Sequence, residues 1–464
     1  MESATAHPKI RNRFTTLTVL FAALGSLSYG YSSGIISSAL NQPSFTSYIG
    51  LDTASDANGL SGAITGVFQG CGLLGSLKSG WSSDKFGRRK AIFYACIIVI
   101  IGSILQCAAV HIAMFIIGRG ITGFGVGELL ALVPCWQSEV ADARSRGFLV
   151  GMHGKCVFIL TGYAISGWLG VAFYYCDAGG AEWRVPLAIQ ILWPLLLGAG
   201  IFLVPESPRW LLQQGRFDEA LAVCKLLRQT PSDPDSLIAH AEFDQIKAQY
   251  EYDLTQPSSW WSIFKVPSYR KRAIIGFLTT GFAQGTGTLV IANYGPIIYA
   301  LLGFSQSQKL ILSAGWFSLA VPMNGLAALI QDRFGRVKMM TVGMITTEMA
   351  LVGAAITFAL GTQTGDSRIL GAAVFFVYAC GLDDPTYVYI SEIWPNHIRS
   401  KGIAISTSGL WFVSLILNAA AASAFDNIGW KYLLPLIGVT AVGCVVIPLY
   451  WPEVCSAPFA CGAH

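Results

Sequence analysis

Apolar and charged positions alternate along this chain on the length scale of a bilayer. No Asp, Glu, Lys or Arg occurs at 14–51, 57–77, 91–118, 156–176, 185–205, 273–308, 310–331, 402–425 or 432–452. A helix of roughly 20 residues crosses the hydrocarbon layer, so each run is long enough to do so. Three further apolar stretches, 114–136, 339–360 and 369–391, carry one or two internal acids each. With the longest runs trimmed to helix length, the pattern predicts twelve spans and an all-α membrane protein.

One segment breaks the pattern. Residues 206–272 hold 18 of the chain's 56 charged residues and join spans six and seven. Apolar and charged positions recur there at helical spacing over Phe217–Arg228 and Leu237–Tyr250. Pro231, Pro234 and Pro257 cut the segment into short pieces. The expected organisation is a six-helix half at 1–205, a cytosolic linker with short helices at 206–271, and a second six-helix half at 272–464. The linker is too small and too broken to be a catalytic domain.

Composition agrees: 53% of residues are hydrophobic and 12% charged, against about 25% charged in a soluble domain. The net charge of +4 says less than its placement. Lys85, Arg88, Arg89 and Lys90 follow span two, and Arg144, Arg146 and Lys155 follow span four. Arg333, Arg336 and Lys338 follow span eight, and Arg399 and Lys401 follow span ten. These loops share one side, and the positive-inside rule puts it, with both termini, in the cytosol. Basic clusters so placed speak for topology and against nucleic acid. The eleven cysteines show no paired spacing, and no CxxC or Cys/His cluster suggests a metal. No cofactor motif appears: Gly123-x-Gly125-x-Gly127 lies inside a span and suits helix packing.

The charged loops repeat. Asp84-Lys85-Phe86-Gly87-Arg88-Arg89-Lys90 recurs as Asp332-Arg333-Phe334-Gly335-Arg336-Val337-Lys338. Ser138-Glu139 is followed by Arg146, and Ser391-Glu392 by Arg399, seven residues after each Glu. The two offsets, 248 and 253 residues, point to duplication of one ancestral half. Two fused halves facing each other across a central cavity are the architecture of an alternating-access transporter.

On these residues the chain resembles the sugar porters of the major facilitator superfamily over about 15–453. Further markers are Gly118-Arg119-Gly120, Pro205-Glu206-Ser207-Pro208-Arg209-Trp210-Leu211 and Tyr389-x-Ser391-Glu392-x-x-Pro395. Asn41–Phe45 and Asp383–Tyr389 look like a fungal branch. The resemblance implies a plasma-membrane carrier of a hexose, disaccharide or similar polyhydroxy solute. Lipid would surround it, and protons are a conditional partner. A carrier of a non-sugar solute (polyol, quinate-like acid, secondary metabolite) and a non-transporting sensor are the alternatives.

The resemblance also implies roles for residues. Asp84, Gly87, Arg88, Arg89, Glu139, Arg146, Glu206 and Arg209 would form one half of a gate. Asp332, Arg333, Gly335, Arg336, Glu392 and Arg399 would form its partner in the other half. Gln284, Asn293, Trp411, Tyr387 and Cys156 align with substrate-pocket positions. The glycines around Gly285, Gly287 and Gly295, with Pro296, predict a break in span seven. Proton-coupled members carry an acid in the first span where this chain has Ser32, while its partner Arg119 is retained. Either transport is facilitated, or a proton site has moved to Glu128, Glu348, Asp383 or Asp384. The family's charged C-terminal tail is replaced after Pro452-Glu453, which leaves the matching gate contact open.

Overall fold

The computed structural model describes residues 13–52, 54–140, 156–176, 179–228, 233, 236–360, 365–378 and 383–453; within these, the side chains of 13, 156, 328–333, 365–368, 377–378 and 383–384 are not described. The described residues form helices and no strand. In the first half these are α1 (Arg13–Ala22), α2 (Leu24–Ala39), α3 (Pro43–Ile49), α4 (Ala57–Phe86), α5 (Arg88–Cys107), α6 (Ile112–Val140), α7 (Cys156–Tyr174), α8 (Ala181–Ile189) and α9 (Leu192–Gly200). The connecting segment holds α10 (Pro208–Gln213), α11 (Phe217–Arg228), α12 (Leu237–Leu254) and α13 (Trp260–Lys265). The second half holds α14 (Pro267–Gly285), α15 (Thr288–Leu301), α16 (Gln306–Phe334), α17 (Arg336–Ala359), α18 (Gly365–Tyr378), α19 (Asp383–Glu392), α20 (Arg399–Ile428) and α21 (Leu433–Tyr450).

Ten segments among the described residues are long and apolar enough to cross a membrane. The longest, Asn396–Tyr450, contains both α20 and α21, and α18 and α19 precede it in the chain. Phe217–Arg228 is a helix as its spacing predicts, and the second linker helix runs four residues past Tyr250 to Leu254. Span seven breaks at Thr286-Gly287, where Gly287 adopts φ 86° between α14 and α15. Pro296 lies inside α15 without ending it.

Small residues set how closely the helices approach. A Cβ on Gly75 would sit 1.9 Å from the Phe124 carbonyl, and one on Gly127 would sit 2.2 Å from that of Gly72. That contact fastens α4 to α6, and α2 packs on α7 in the same half. In the other half α14 packs on α20, and α17 on α21. Two seams join the halves: α4 lies along α20, and α7 along α16.

Candidate functional site

At the basic end each half carries the same device. Gly87 (φ 85°, ψ 166°) and Gly335 (φ 90°, ψ 154°) turn the chain between α4 and α5 and between α16 and α17. A side chain at such a φ is strained, so glycine is required. The turn delivers an arginine to the start of the next helix. Arg88 Nε and Nη2 donate to Glu139 at 3.0 and 2.9 Å, with both side chains buried. Arg336 Nε and Nη2 donate to Glu392 at 3.2 and 3.4 Å. The freed backbone N–H groups are capped as well. Glu206 accepts from the N–H of Arg88 and Arg89 at 3.1 and 3.2 Å. Glu453 accepts from those of Arg336 and Val337 at 2.6 and 3.2 Å. Carboxylates suit these positions because the positive end of the helix dipole lies there. Burial holds the Glu206 carboxyl above the ordinary glutamate range, against the pull of the N–H donors. Two more bonds match: Trp136 Nε1 to the Pro205 carbonyl at 3.3 Å, and the Tyr389 hydroxyl to that of Pro452 at 3.2 Å.

Arg88–Glu139 and Arg336–Glu392 pair within a half, because the glycine turn folds each arginine back onto its own half. Across the halves, the expected Asp84 meets groups that were not expected. Lys401 Nζ lies 3.3 Å from Asp84, and Ser400 Oγ donates to Asp84 at 2.9 Å. Asp253 of α12 lies 3.5 Å from His397. Arg399 lines a polar cleft of about 380 Å³ between α12 and the start of α20. Arg209 is half-buried on α10. Arg89 also donates through Nη2 to the Phe202 carbonyl. Arg146, and the side chains of Asp332 and Arg333, lie outside the described residues. Glu453, Lys401, Ser400, Asp253 and His397 were missed from sequence. Glu453 had a readable signal, since Pro205-Glu206 recurs as Pro452-Glu453 at an offset of 247.

Toward the opposite end, polar contacts also join the halves. Asn58 Nδ2 donates to Asp426 at 2.8 Å between α4 and α20. Trp168 Nε1 donates to Ser318 at 2.8 Å between α7 and α16. Between the halves lies a cavity of about 30 Å³, room for about two waters. Both halves line it: Tyr29 of α2, Ile159, Leu160 and Tyr163 of α7, Gln284 of α14, Thr288, Leu289 and Ala292 of α15, Trp316 and Phe317 of α16, and Tyr387 of α19. Tyr163 stacks on Phe317 at 4.8 Å across the halves.

Of the expected pocket residues, Gln284 and Tyr387 reach the cavity wall, and Gln284 Oε1 is buried with no hydrogen-bond partner. Trp411 stands one layer behind, edge-on to Tyr29 at 5.6 Å and to Phe68 at 6.0 Å. Asn293 is engaged elsewhere: its Nδ2 donates to Asn418 at 2.8 Å, binding α15 to α20. The side chains of Cys156, Asp383 and Asp384 lie outside the described residues. Tyr29, Tyr163, Trp316 and Phe317 were not anticipated.

The candidate coupling groups lie apart from one another. Arg119 is buried, donates through Nη1 to the Ser32 carbonyl at 2.7 Å, and lies 4.0 Å from the Phe68 ring centre. Glu128 is not its counter-ion. That carboxylate lies 2.9 Å from Lys78 Nζ and accepts from Ser82 Oγ. The physical reason is phase: nine residues along one helix put Glu128 and Arg119 about half a turn apart. Glu348 sits on α17, near Cys444 of α21, and does not line the cavity.

The comparisons with known proteins agree on one kind of molecule. The family described as "Sugar (and other) transporter" matches residues 18–460. The MFS-type transporter criB of Aspergillus cristatus is 32% identical over 442 residues, covering 94% of this chain and 89% of that protein. The high-affinity glucose transporter of Kluyveromyces lactis is 28% identical over 459 residues, covering 93% and 81%. The galactose-proton symporter of Escherichia coli K12 is 28% identical over 438 residues, covering 91% and 89%. Among solved structures, the proton:xylose symporter XylE bound to 6-bromo-6-deoxy-D-glucose matches with a TM-score of 0.83 at 22% identity, covering 96% of this chain and 97% of that one. The inward-open form of XylE matches at 0.73, with 22% identity and coverage of 95% and 97%.

Proposed function

The chain belongs to the sugar transporter family of the major facilitator superfamily, and from that premise we propose that it moves a sugar or similar polyhydroxy solute by alternating access. The observation that carries this reading is the cavity wall. Aromatic faces from both halves enclose a buried amide, Gln284, whose Oε1 has no partner. A solute hydroxyl can donate to that oxygen while its ring C–H surface lies on Tyr29, Tyr163 or Trp316. An unpaired buried acceptor costs about 1–3 kcal/mol, which a hydroxylated solute would relieve and an apolar one would not.

The basic rim faces the cytosol, with both termini on that side, a reading supported by the placement of Lys and Arg. Opening the α4–α20 and α7–α16 seams at one end, then at the other, would enlarge the cavity and expose it to each side in turn. Transport is facilitated rather than proton-driven. Ser32 cannot cycle a proton beside Arg119, and Glu128 is held in an ion pair. Counterflow in proteoliposomes with a panel of hexoses, disaccharides and polyols tests the first part. Uptake with and without a pH gradient tests the second. Absence of counterflow with every solute would overturn the substrate class. Accumulation that collapses with a protonophore would overturn the facilitated mechanism.

A further inference from the structure

A buried cation one layer behind the cavity has no matching anion among the described residues. Arg119 is 1% exposed. Its contacts are the Ser32 carbonyl at 2.7 Å and the face of Phe68 at 4.0 Å, both neutral, and its Nε has no hydrogen-bond partner. Among the described residues no carboxylate pairs with it; every ion pair found in α4 and α6 uses Lys78, Asp84 or Arg88 instead. The hydroxyls of Ser28 and Ser32, one turn apart on α2, are also buried without partners. Three orphaned polar atoms thus lie on α2 and α6, two helices in contact.

The group also connects to the cavity. Tyr163 lines the cavity and donates to Ser33 Oγ at 2.6 Å, and Ser33 adjoins Ser32, whose carbonyl takes Arg119. On its other flank Phe68 separates Arg119 from Trp411, at 6.0 Å. A charged group inside a membrane is costly and marks a solute pathway when it faces a cavity. A guanidinium is shaped to bind a carboxylate through two parallel N–H bonds.

We propose that the solute is a polyhydroxy carboxylate, whose hydroxyls meet Gln284 and whose carboxylate pairs with Arg119 once the cavity opens. The inference rests on the reading of the cavity as a site for polyhydroxy solutes, and narrows it. The charge that no described carboxylate neutralises is left for the solute to neutralise. The orphaned Ser28 and Ser32 hydroxyls then supply further donors to the same carboxylate.

The test uses two matched pairs that differ in one carboxylate, D-glucuronate with D-glucose and quinate with myo-inositol. Each is titrated against the purified full-length protein at neutral pH, with thermal stabilisation as the readout. The acid of at least one pair should half-saturate at a concentration at least tenfold below its neutral partner. Arg119→Gln should bring that ratio toward one. Ser32→Asp, which supplies a counter-ion and suits a buried cation, should do the same, so the test survives if Arg119→Gln fails to fold. Neutral partners binding as well as or better than the acids would overturn the inference and leave the polyhydroxy site intact. A preference undiminished in both variants would overturn the role of Arg119. No stabilisation by any of the four compounds would overturn the inference together with the site it rests on.

Discussion

The basic rim and the centre of this molecule are built on opposite terms. At the rim, the same parts appear twice in the same places. A glycine at positive φ presents an arginine to a glutamate of its own half, and a second glutamate caps the next helix. In the centre nothing is repeated: the first half gives Tyr29 and Tyr163, the second gives Gln284, Trp316 and Tyr387. The difference follows from what each region must satisfy. The rim answers backbone N–H groups and charges, which are identical in any copy of a helix–turn–helix. The centre answers a solute, which has no twofold symmetry to match. Duplication therefore survives at the rim and is erased in the centre.

That contrast can be broken most forcefully at the rim. Removing one partner of a buried pair leaves the other charge uncompensated, a loss of about 3–5 kcal/mol. Arg88→Ala should therefore lower the melting temperature strongly. Arg336→Ala should lower it less, because Glu392 is 19% exposed where Glu139 is 5%. Equal losses would mean that the two copies share burial as well as geometry.

The next effect joins the two regions. A Cβ on Gly72 would sit 2.4 Å from the Trp411 ring. Overpacking of that kind costs about 1–3 kcal/mol, and the ring packs on Tyr29, which lines the cavity. Gly72→Ala should weaken solute binding as well as stability. A change in stability alone would show that Trp411 is fixed independently of the cavity.

Within the centre, Gln284→Ala removes a single hydrogen-bonding group, about 1 kcal/mol. The concentration of solute giving half-maximal counterflow should rise several-fold, and no change would remove Gln284 from the site.

The smallest effect is a pH dependence at the rim. Burial raises the Glu206 carboxyl above its ordinary value of 4.5, so the folded state favours the protonated form. Its contribution to stability is then present below 4.5 and lost as pH rises through the raised value. Glu206→Gln should flatten the melting temperature over that interval, and an unchanged slope would assign the dependence to other groups.

How much of this could be read from the chain follows the same division. The spans were legible because charge-free runs need no knowledge of partners. The rim was legible where a motif repeats, as at Gly87 and Gly335, and Glu453 could have been found from the second Pro-Glu pair. The direction of pairing was not, since Glu139 and Glu392 carry the same motif whether they bond within or between halves. In the centre, Tyr29, Tyr163 and Phe317 are ordinary apolar positions until folding brings their helices together. Asn293 looked like a pocket residue because its partner, Asn418, lies 125 residues away. The fate of Glu128 turned on Lys78, 50 residues earlier, which only the α4–α6 contact brings within reach.

The division of labour between rim and centre is tested most directly by the concentration dependence of counterflow in one set of proteoliposomes. Wild type, Gln284→Ala and Glu453→Ala would be compared with the solute that the wild type carries best. Gln284→Ala should raise the half-saturating concentration and keep most of the maximal rate. Glu453→Ala, which uncaps α17 without touching the cavity, should lower the maximal rate and leave half-saturation in place. If the two variants change the same parameter, rim and centre are not separate devices and the account fails.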